Sequence, residues 1–437
     1  MGYAVILWVV TNGAARGQTL GVRQAAFIGV GAMVGAGIFA LLGAAGEVAG
    51  AAVWVSFVLA GVVAGLQGYS FARLGARYPA AGGFLEFLVR GFGNGHITGV
   101  AAWLLFGVNA IITAMVAVSF GSYASAAVAD GGAQWTKHFA VLVIALMALL
   151  NVLGSGAVAR AQTVVVVVVI GILSVFAVAT LANLDPHLLA FSGYPPLRDI
   201  VSSVALTFFA FLGFGVITFT AKDLVAPARQ LPRAIYLALG IATVIYVAVA
   251  LGVFGVLTVD TVVASGGTAL AVAAQPVLGD AGYWMMSVTA LFATAGATNS
   301  GLFPAAGLCG QMATIGQFPP AMGRRLGDRV PIGLVMTAVA AMVLAVALDL
   351  SAIASIGSAV ALLMFAIVTA GHLRLRGETG ARAWVLVLAV ATTVVVLLAF
   401  TFTTLVEEPA TAVTLAAILV LSVVLDLSWK RIRDARG

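Results

Sequence analysis

The residues best placed to do chemistry in this chain are glycines. One apolar stretch reads Gly29-Val-Gly31-Ala-Met-Val-Gly35-Ala-Gly37-Ile-Phe39, and a later one reads Phe208-Phe-Ala-Phe-Leu-Gly213-Phe-Gly215. Glycine loses more backbone entropy in a helix than alanine does, so both stretches predict interrupted helices. In lipid an exposed N–H or C=O costs several kcal/mol, so such a break must line a cavity. The half-helix that starts after Gly37 aims free amides and the positive end of its dipole into that cavity, which suits a carboxylate. Carbonyls ending the preceding half suit an ammonium group or a cation, and a zwitterion satisfies both. Gly31-x-x-x-Gly35 is equally a helix-packing motif. The matching pattern in the second stretch favours a binding site.

Ionisable chemistry is sparse. The single cysteine, Cys309, allows no disulfide within the chain and no cysteine-based metal site. His96, His138, His187 and His372 are far apart and none has a zinc-ligand spacing, so neither a metal nor another cofactor is expected. An enzyme would need a carboxylate pair, a His/Asp/Cys cluster or a metal, and a channel would show polar rings. Neither pattern is present, so the chain reads as a non-enzyme. Glu47 and Asp349 read as solvated charges near outer span ends, and His96 and His372 as interfacial residues near inner ends. Asn109, in the third apolar segment, serves equally well as a pocket group or as an interhelical hydrogen bond. Thr294 and Thr298 share a helix face. They suit a sodium site with first-span carbonyls, although packing hydroxyls are the more frequent use of such a pair.

The elements that position these residues follow from composition. Of 437 residues, 62% are hydrophobic and 8% charged, against about 25% charged in soluble proteins. A transmembrane helix takes about 20 apolar residues. Twelve segments are predicted: 25–48, 51–72, 97–128, 138–156, 161–182, 200–221, 233–257, 283–313, 332–348, 351–373, 384–404 and 409–428. Long continuous apolar runs exclude a β-barrel. Alternate loops hold nineteen of the 21 basic residues, and only Lys137 and Arg198 fall on the other side. Arginine and lysine gather on the cytoplasmic side, so the expectation is an all-α polytopic protein of the cell (plasma or inner) membrane with both termini cytoplasmic. Scattered basic residues argue against a nucleic-acid partner; the lipid bilayer and a small molecule are the expected partners, and oligomeric state is open. The apolar stretch 1–10 is too short to span.

The two interrupted segments open two sets of five, and five spans per set inverts the second set. Paired interrupted spans at corresponding positions point to a transporter binding site. These residues resemble those of a known family. Gly31-Ala-Met-Val-Gly35-Ala-Gly37-Ile-Phe39 is similar to the first-helix motif of amino acid–polyamine–organocation (APC) permeases. Phe209-Ala-Phe-Leu-Gly-Phe214, with Pro227 and Leu231-Pro232-Arg233-Ala-Ile235, resembles their sixth helix and the loop after it. Tyr78-Pro79-x-x-Gly82-Gly83, Gly91-x-Gly93, Asn299-Ser-Gly301 and Phe318-Pro319 add to the likeness, which spans about 19–430. The resemblance implies the LeuT-type fold: a 5+5 inverted repeat plus two extra helices. It implies alternating-access transport of amino acids, polyamines or related amines.

Carried over, the resemblance puts a substrate carboxylate at the amides of Ala36, Gly37 and Ile38. The amino group falls at carbonyls near Met33, Val34 and Gly35 and at Phe209, Ala210, Leu212 and Gly213, with Phe209 as an aromatic gate. The chain departs from the pattern where relatives carry ionisable groups: Gly215 stands in place of an acid, and the region of Val169 in place of a helix-five lysine. An apolar lining of Met33, Val34, Phe209, Phe211, Leu212 and Phe214 suits a small-to-medium neutral amino acid. A polyamine, the alternative cargo, would want a carboxylate that is missing. The expected division is an extension (1–18), a first repeat (19–190), a second inverted repeat (191–378), two further helices (379–430) and a tail (431–437).

Overall fold

The computed structural model describes residues 20–79, 83–128, 133–153, 156–327, 330–406 and 408–435. The whole of the extension 1–18 and the end of the tail therefore lie outside the described residues, as does the Gly82 of the second-loop motif.

The first interrupted segment forms α1 (Val22–Ala36) and α2 (Ile38–Ala49), parted at Gly37. There follow α3 (Val53–Arg77), a short amphipathic α4 (Phe84–Phe92), α5 (His96–Val128), α6 (Ala133–Leu153) and α7 (Gly156–Ala182). The second interrupted segment is α8 (Leu197–Phe209), continued after two residues by a 3₁₀ helix over Leu212–Asp223. Beyond it lie α9 (Pro227–Val256), α10 (Val259–Ser265), α11 (Ala269–Thr314), α12 (Ile332–Ala347), α13 (Leu350–Thr379), α14 (Ala383–Phe400) and α15 (Pro409–Asp434). α11 is kinked at Gly279, whose φ of 66° is open to glycine without strain. This places an extra helical stretch ahead of the predicted segment 283–313.

Among the described residues, ten helical stretches are long and apolar enough to cross a membrane. Val22–Gly35 and Ile332–Ala347 are apolar but shorter. Helices lie over every predicted segment. The unpredicted ones are α4 and α10: α4 is nine residues long with Leu85, Phe87 and Leu88 buried and Glu86 and Arg90 on its polar side.

Two groups of helices form around the interruptions. α3 and α9 pack on each other, α1 packs on α9 and the 3₁₀ segment, and α8 packs on α2 and α3. α5 is the axis of the other group and packs on α6, α11, α12 and α15. α13 lies between the groups, touching α5, α8, α3 and α14. The two most enclosed spans are Leu350–Thr379, 83% buried over its most apolar window, and Leu197–Ala221, at 78%. The windows of Gln134–Leu153 and Pro409–Asp434 are only 17% buried, and they display Leu142, Leu146, Leu149, Val413, Val420 and Leu421. Apolar side chains turned outward are what lipid contact requires. An aromatic hub fixes the junction of the groups: Phe365 of α13 meets the rings of Phe71 at 4.9 Å, Phe84 at 5.1 Å, Phe214 at 5.2 Å and Phe208 at 5.5 Å.

Candidate substrate site

The break in the first segment is short. Gly37 keeps φ −98° and ψ −62°, and its amide still donates to the Met33 carbonyl at 3.1 Å. The ladder resumes with the Ala40 and Leu41 amides on the Gly37 carbonyl. The sixth-span break is long. The α-helix ends at Phe209, and the amides of Ala210, Phe211 and Phe214 each reach back three residues. Twelve residues of 3₁₀ helix then follow. Runs beyond three or four residues are uncommon, and they mark strain or hinges.

The two breaks touch through main chain. A Cβ on Gly37 would lie 2.5 Å from Ala210 Cα and overlap the Ala210 methyl; a Cβ on Gly213 would lie 2.5 Å from the Met33 nitrogen and 2.6 Å from the Ala32 carbonyl carbon. No Cβ tolerates contacts that close, so glycine is required at both positions by proximity and not by backbone angle. Around them, Gly29 fits against Ile217 and Gly35 against Ala293 and Ala297.

The sequence-predicted residues are distributed as follows. Met33, Val34, Gly35, Gly37, Ile38, Phe209 and Ala210 are buried where the breaks meet, and Leu212 and Gly213 are half-buried beside them. Ala36 ends α1. The Ala210 carbonyl accepts from Tyr246 Oη at 3.1 Å. The three phenylalanines diverge. Phe209 lies against Gly357 of α13, beside Ile111. Phe211 meets Tyr246 edge-on at 5.2 Å, and Phe214 meets Phe71 edge-on at 5.7 Å. Phe209 therefore faces both α5 and α13, while Phe214 reaches α13 at Phe365. Asn109 is half-buried on α5, and its amide donates to Leu105 O at 2.9 Å. Thr294 and Thr298 are buried and donate to the carbonyls of Ala290 and Thr294 one turn back.

A cavity of about 20 Å³ adjoins the break, lined by Gly31, Val34, Gly35, Val165, Val166, Val169, Ala293, Gly296 and Ala297. That is room for about one water, so the breaks are closed on each other here. The Thr294 and Thr298 side chains do not line it.

Sequence reasoning missed two buried hydroxyls. Tyr123 Oη and Ser119 Oγ on α5 are enclosed without a hydrogen-bond partner among the described residues. The Tyr123 ring meets Phe39, two residues past the break, edge-on at 6.3 Å. Nothing in the sequence marks them among the many serines and tyrosines. His372 needs correction: it is fully buried, not interfacial. Asp426 was not singled out, yet it is fully buried on α15, bonded by Lys430 at 2.9 Å and His96 at 2.6 Å. Gly99 makes the space for it, since a side chain there would strike Asp426.

At the arginine-rich end, Tyr78 Oη donates to Glu378 at 2.5 Å, and the Arg90 guanidinium lies 4.7 Å from the Tyr78 ring centre. Desolvation, then the Glu378 hydrogen bond, raises the Tyr78 phenol above its ordinary value of 10.0. The donor is therefore present throughout the physiological pH range.

Helices broken in mid-span and meeting backbone to backbone, inside a bundle with a lipid-facing exterior, define a multi-pass membrane permease. A family model for amino acid permeases matches residues 20–425, and the chain belongs to that family, within the APC superfamily. The inner membrane transport protein YbaT of Escherichia coli K12 is 33% identical over 425 residues, 96% of this chain and 98% of that protein. The branched-chain amino acid permease BcaP of Bacillus subtilis is 25% identical over 259 residues, 55% of each chain. The methylthioribose transporter of the same organism is 26% identical over 259 residues, again 55% of each. The protein is thus a membrane transporter and not an enzyme.

Proposed function

We propose that this chain is a twelve-span secondary transporter of small-to-medium neutral amino acids, working by alternating access. It sits in the cell (inner) membrane with both termini cytoplasmic. Residues 19–190 and 191–378 are the two inverted repeats, and 379–430 the two added helices.

The observation that carries this reading is the main-chain contact of the two breaks. Gly37 fits against Ala210, and Gly213 against the Met33 amide. Parting them, with the Gly37 amide released from the Met33 carbonyl in the same step, presents the amides of Ala36, Gly37 and Ile38 to a carboxylate, with the helix dipole of α2 behind them. The carbonyls of Met33, Val34, Gly35, Phe209, Ala210, Leu212 and Gly213 take the ammonium. Asn109 Oδ1 and the unpartnered Tyr123 hydroxyl supply polar contacts from α5. Phe209, wedged between α5 and α13, covers the side-chain end and sets the volume accepted. The name of the relative BcaP supports an amino-acid cargo. In the same reading Thr294 and Thr298 are packing hydroxyls, because each already donates to its own helix.

The test is uptake of a labelled panel by purified protein in liposomes, with and without unlabelled substrate inside. The panel holds neutral amino acids, polyamines and methylthioribose. Uptake of neutral amino acids is expected, and transport of polyamines alone would overturn the cargo.

A further inference from the structure

A second polar feature lies away from the breaks. α3 and α13 run side by side with a nearly constant offset in numbering, and buried polar side chains join them rung by rung. Thr369 donates to Gln67 Oε1. Ser70 Oγ and His372 Nδ1 are 2.9 Å apart. Tyr78 and Glu378 close the end. Gln67 also donates to Thr393 Oγ1 of α14 at 2.7 Å. Gln67, Ser70, Thr369, His372 and Thr393 are fully enclosed. Such a seam ties the neighbour of the broken helices to the span between the two helix groups.

His372 is the titratable member of the enclosed part of this seam. Its Nε2 lies 2.8 Å from Thr379 Oγ1, and that hydroxyl has the Leu375 carbonyl at 3.3 Å and the Arg376 carbonyl at 3.4 Å to donate to. Thr379 therefore accepts from Nε2–H. The bare lone pair is on Nδ1, and it accepts from Ser70.

The charged groups around it come from every packed element. On α3, the Arg73 guanidinium lies 5.5 Å from the Tyr69 ring centre, while Arg77 lies by the Tyr78 ring. On α4, Glu86 and Arg90 bond each other. On its own helix Glu378 is held by Tyr78, and Arg374 by the Gly91 carbonyl and the Phe92 ring. On α5 and α15, His96, Asp426 and Lys430 bond one another. Before α14, the Arg382 amide donates to Tyr69. Among the described residues no carboxylate bonds His372.

We propose that His372 Nδ1 is a proton-binding site that controls opening at the arginine-rich end of the bundle. The step is simple: a proton from water adds to the Nδ1 lone pair, and the Ser70 O–H···N bond is lost. The hydroxyl must turn to accept from the new N–H. The imidazolium is then shut off from water, with no carboxylate bonded to it among the described residues. Buried unpaired charge is costly, so the protonated form favours the state in which α3 and α13 part and water enters. A surface cleft of about 380 Å³, lined by Arg77, Tyr78, Pro79, Glu86, Arg90 and Glu378, opens at the same end. This inference rests on the transporter reading for its meaning but not for its test.

Hydrogen exchange of the full-length protein in detergent needs no substrate. Exchange, corrected for its intrinsic pH dependence, is followed for peptides covering 66–74 and 368–379 from about pH 8 to about pH 5, the range in which histidine titrates. The expected result is roughly tenfold lower protection at the acid end in the wild type and a flat profile in His372→Gln, which keeps a donor and an acceptor but binds no proton. In Ser70→Ala the neutral form loses the O–H···N bond and the protonated form the N–H···O bond, so protection of both peptides is expected to fall at every pH while the pH response remains. A wild type without a pH response, a His372→Gln protein with the wild-type response, or a Ser70→Ala protein with wild-type protection would each overturn the proposal. Absence of amino-acid uptake would overturn the cargo and leave this result standing.

Discussion

The two breaks reach one end by different means. In the first, a single glycine, at φ −98° and ψ −62°, parts two α-helices. In the sixth, the backbone changes helix type for twelve residues and leans on a side chain, since Tyr246 holds the Ala210 carbonyl. The first break is thus set by steric space and the second by hydrogen bonding. Space has no partial substitute, whereas a lost hydrogen bond costs about 1 kcal/mol. The two sides of the contact should therefore differ in how they respond to substitution.

The largest effect is expected at Gly37. A valine there overlaps Ala210, and uptake in liposomes should fall at least about a hundredfold, the equivalent of roughly 2.7 kcal/mol. Gly37→Ala should lose less, and Ala210→Gly should not restore its rate, because the added Cβ still lies 2.5 Å from Ala210 Cα. Full rescue by Ala210→Gly would show that only the methyl stands in the way and would break the main-chain half of the comparison. A middle effect is expected from Phe209→Ala, with apparent substrate affinity falling about tenfold. Asp260→Ala, in the exposed first turn of α10, should bind as the wild type does, and equal loss in both would remove Phe209 from the site. The smallest effect belongs to Tyr246→Phe. The ring keeps its contacts with Phe57 at 5.4 Å and Phe211, so only one hydrogen bond goes. A melting temperature a few degrees lower, with transport reduced by roughly threefold, is expected. A loss as deep as that of Gly37→Val would show that the sixth break depends on the carbonyl's fixed direction.

Much of this was legible in the sequence because it rests on local rules. The glycine clusters at 29–37 and 213–215 marked where helices would break, since the entropy cost of glycine is a property of the residue itself. Apolar segment length located the helices. What was hidden depends on distant partners. Glycine spacing announced a break after Phe209 but not a long 3₁₀ helix, which is set by how Ile217, Phe219 and Thr218 meet Gly29, Gly83 and Gly75. Divergence of Phe209, Phe211 and Phe214 likewise follows from that helix type. His372 looked interfacial because Arg374 and Arg376 follow it, whereas its environment is made by Ser70, about three hundred residues earlier. Asp426 reads as a tail charge until Gly99 and His96 of α5 are brought against it. α4 is amphipathic in pattern, but it is too short to stand out within a loop between spans.

The contact between the breaks has a kinetic consequence. Gly37, Ala210, Ala32 and Gly213 carry no rotatable side chains, and the Met33 group that meets Gly213 is its backbone nitrogen. Glycine and alanine lose no rotamer freedom on burial, whereas a long side chain loses up to about 2 kcal/mol. Two surfaces of this kind come together without first sorting rotamers, and they part without releasing any. Closure is then limited by the travel of whole helices rather than by side-chain rearrangement.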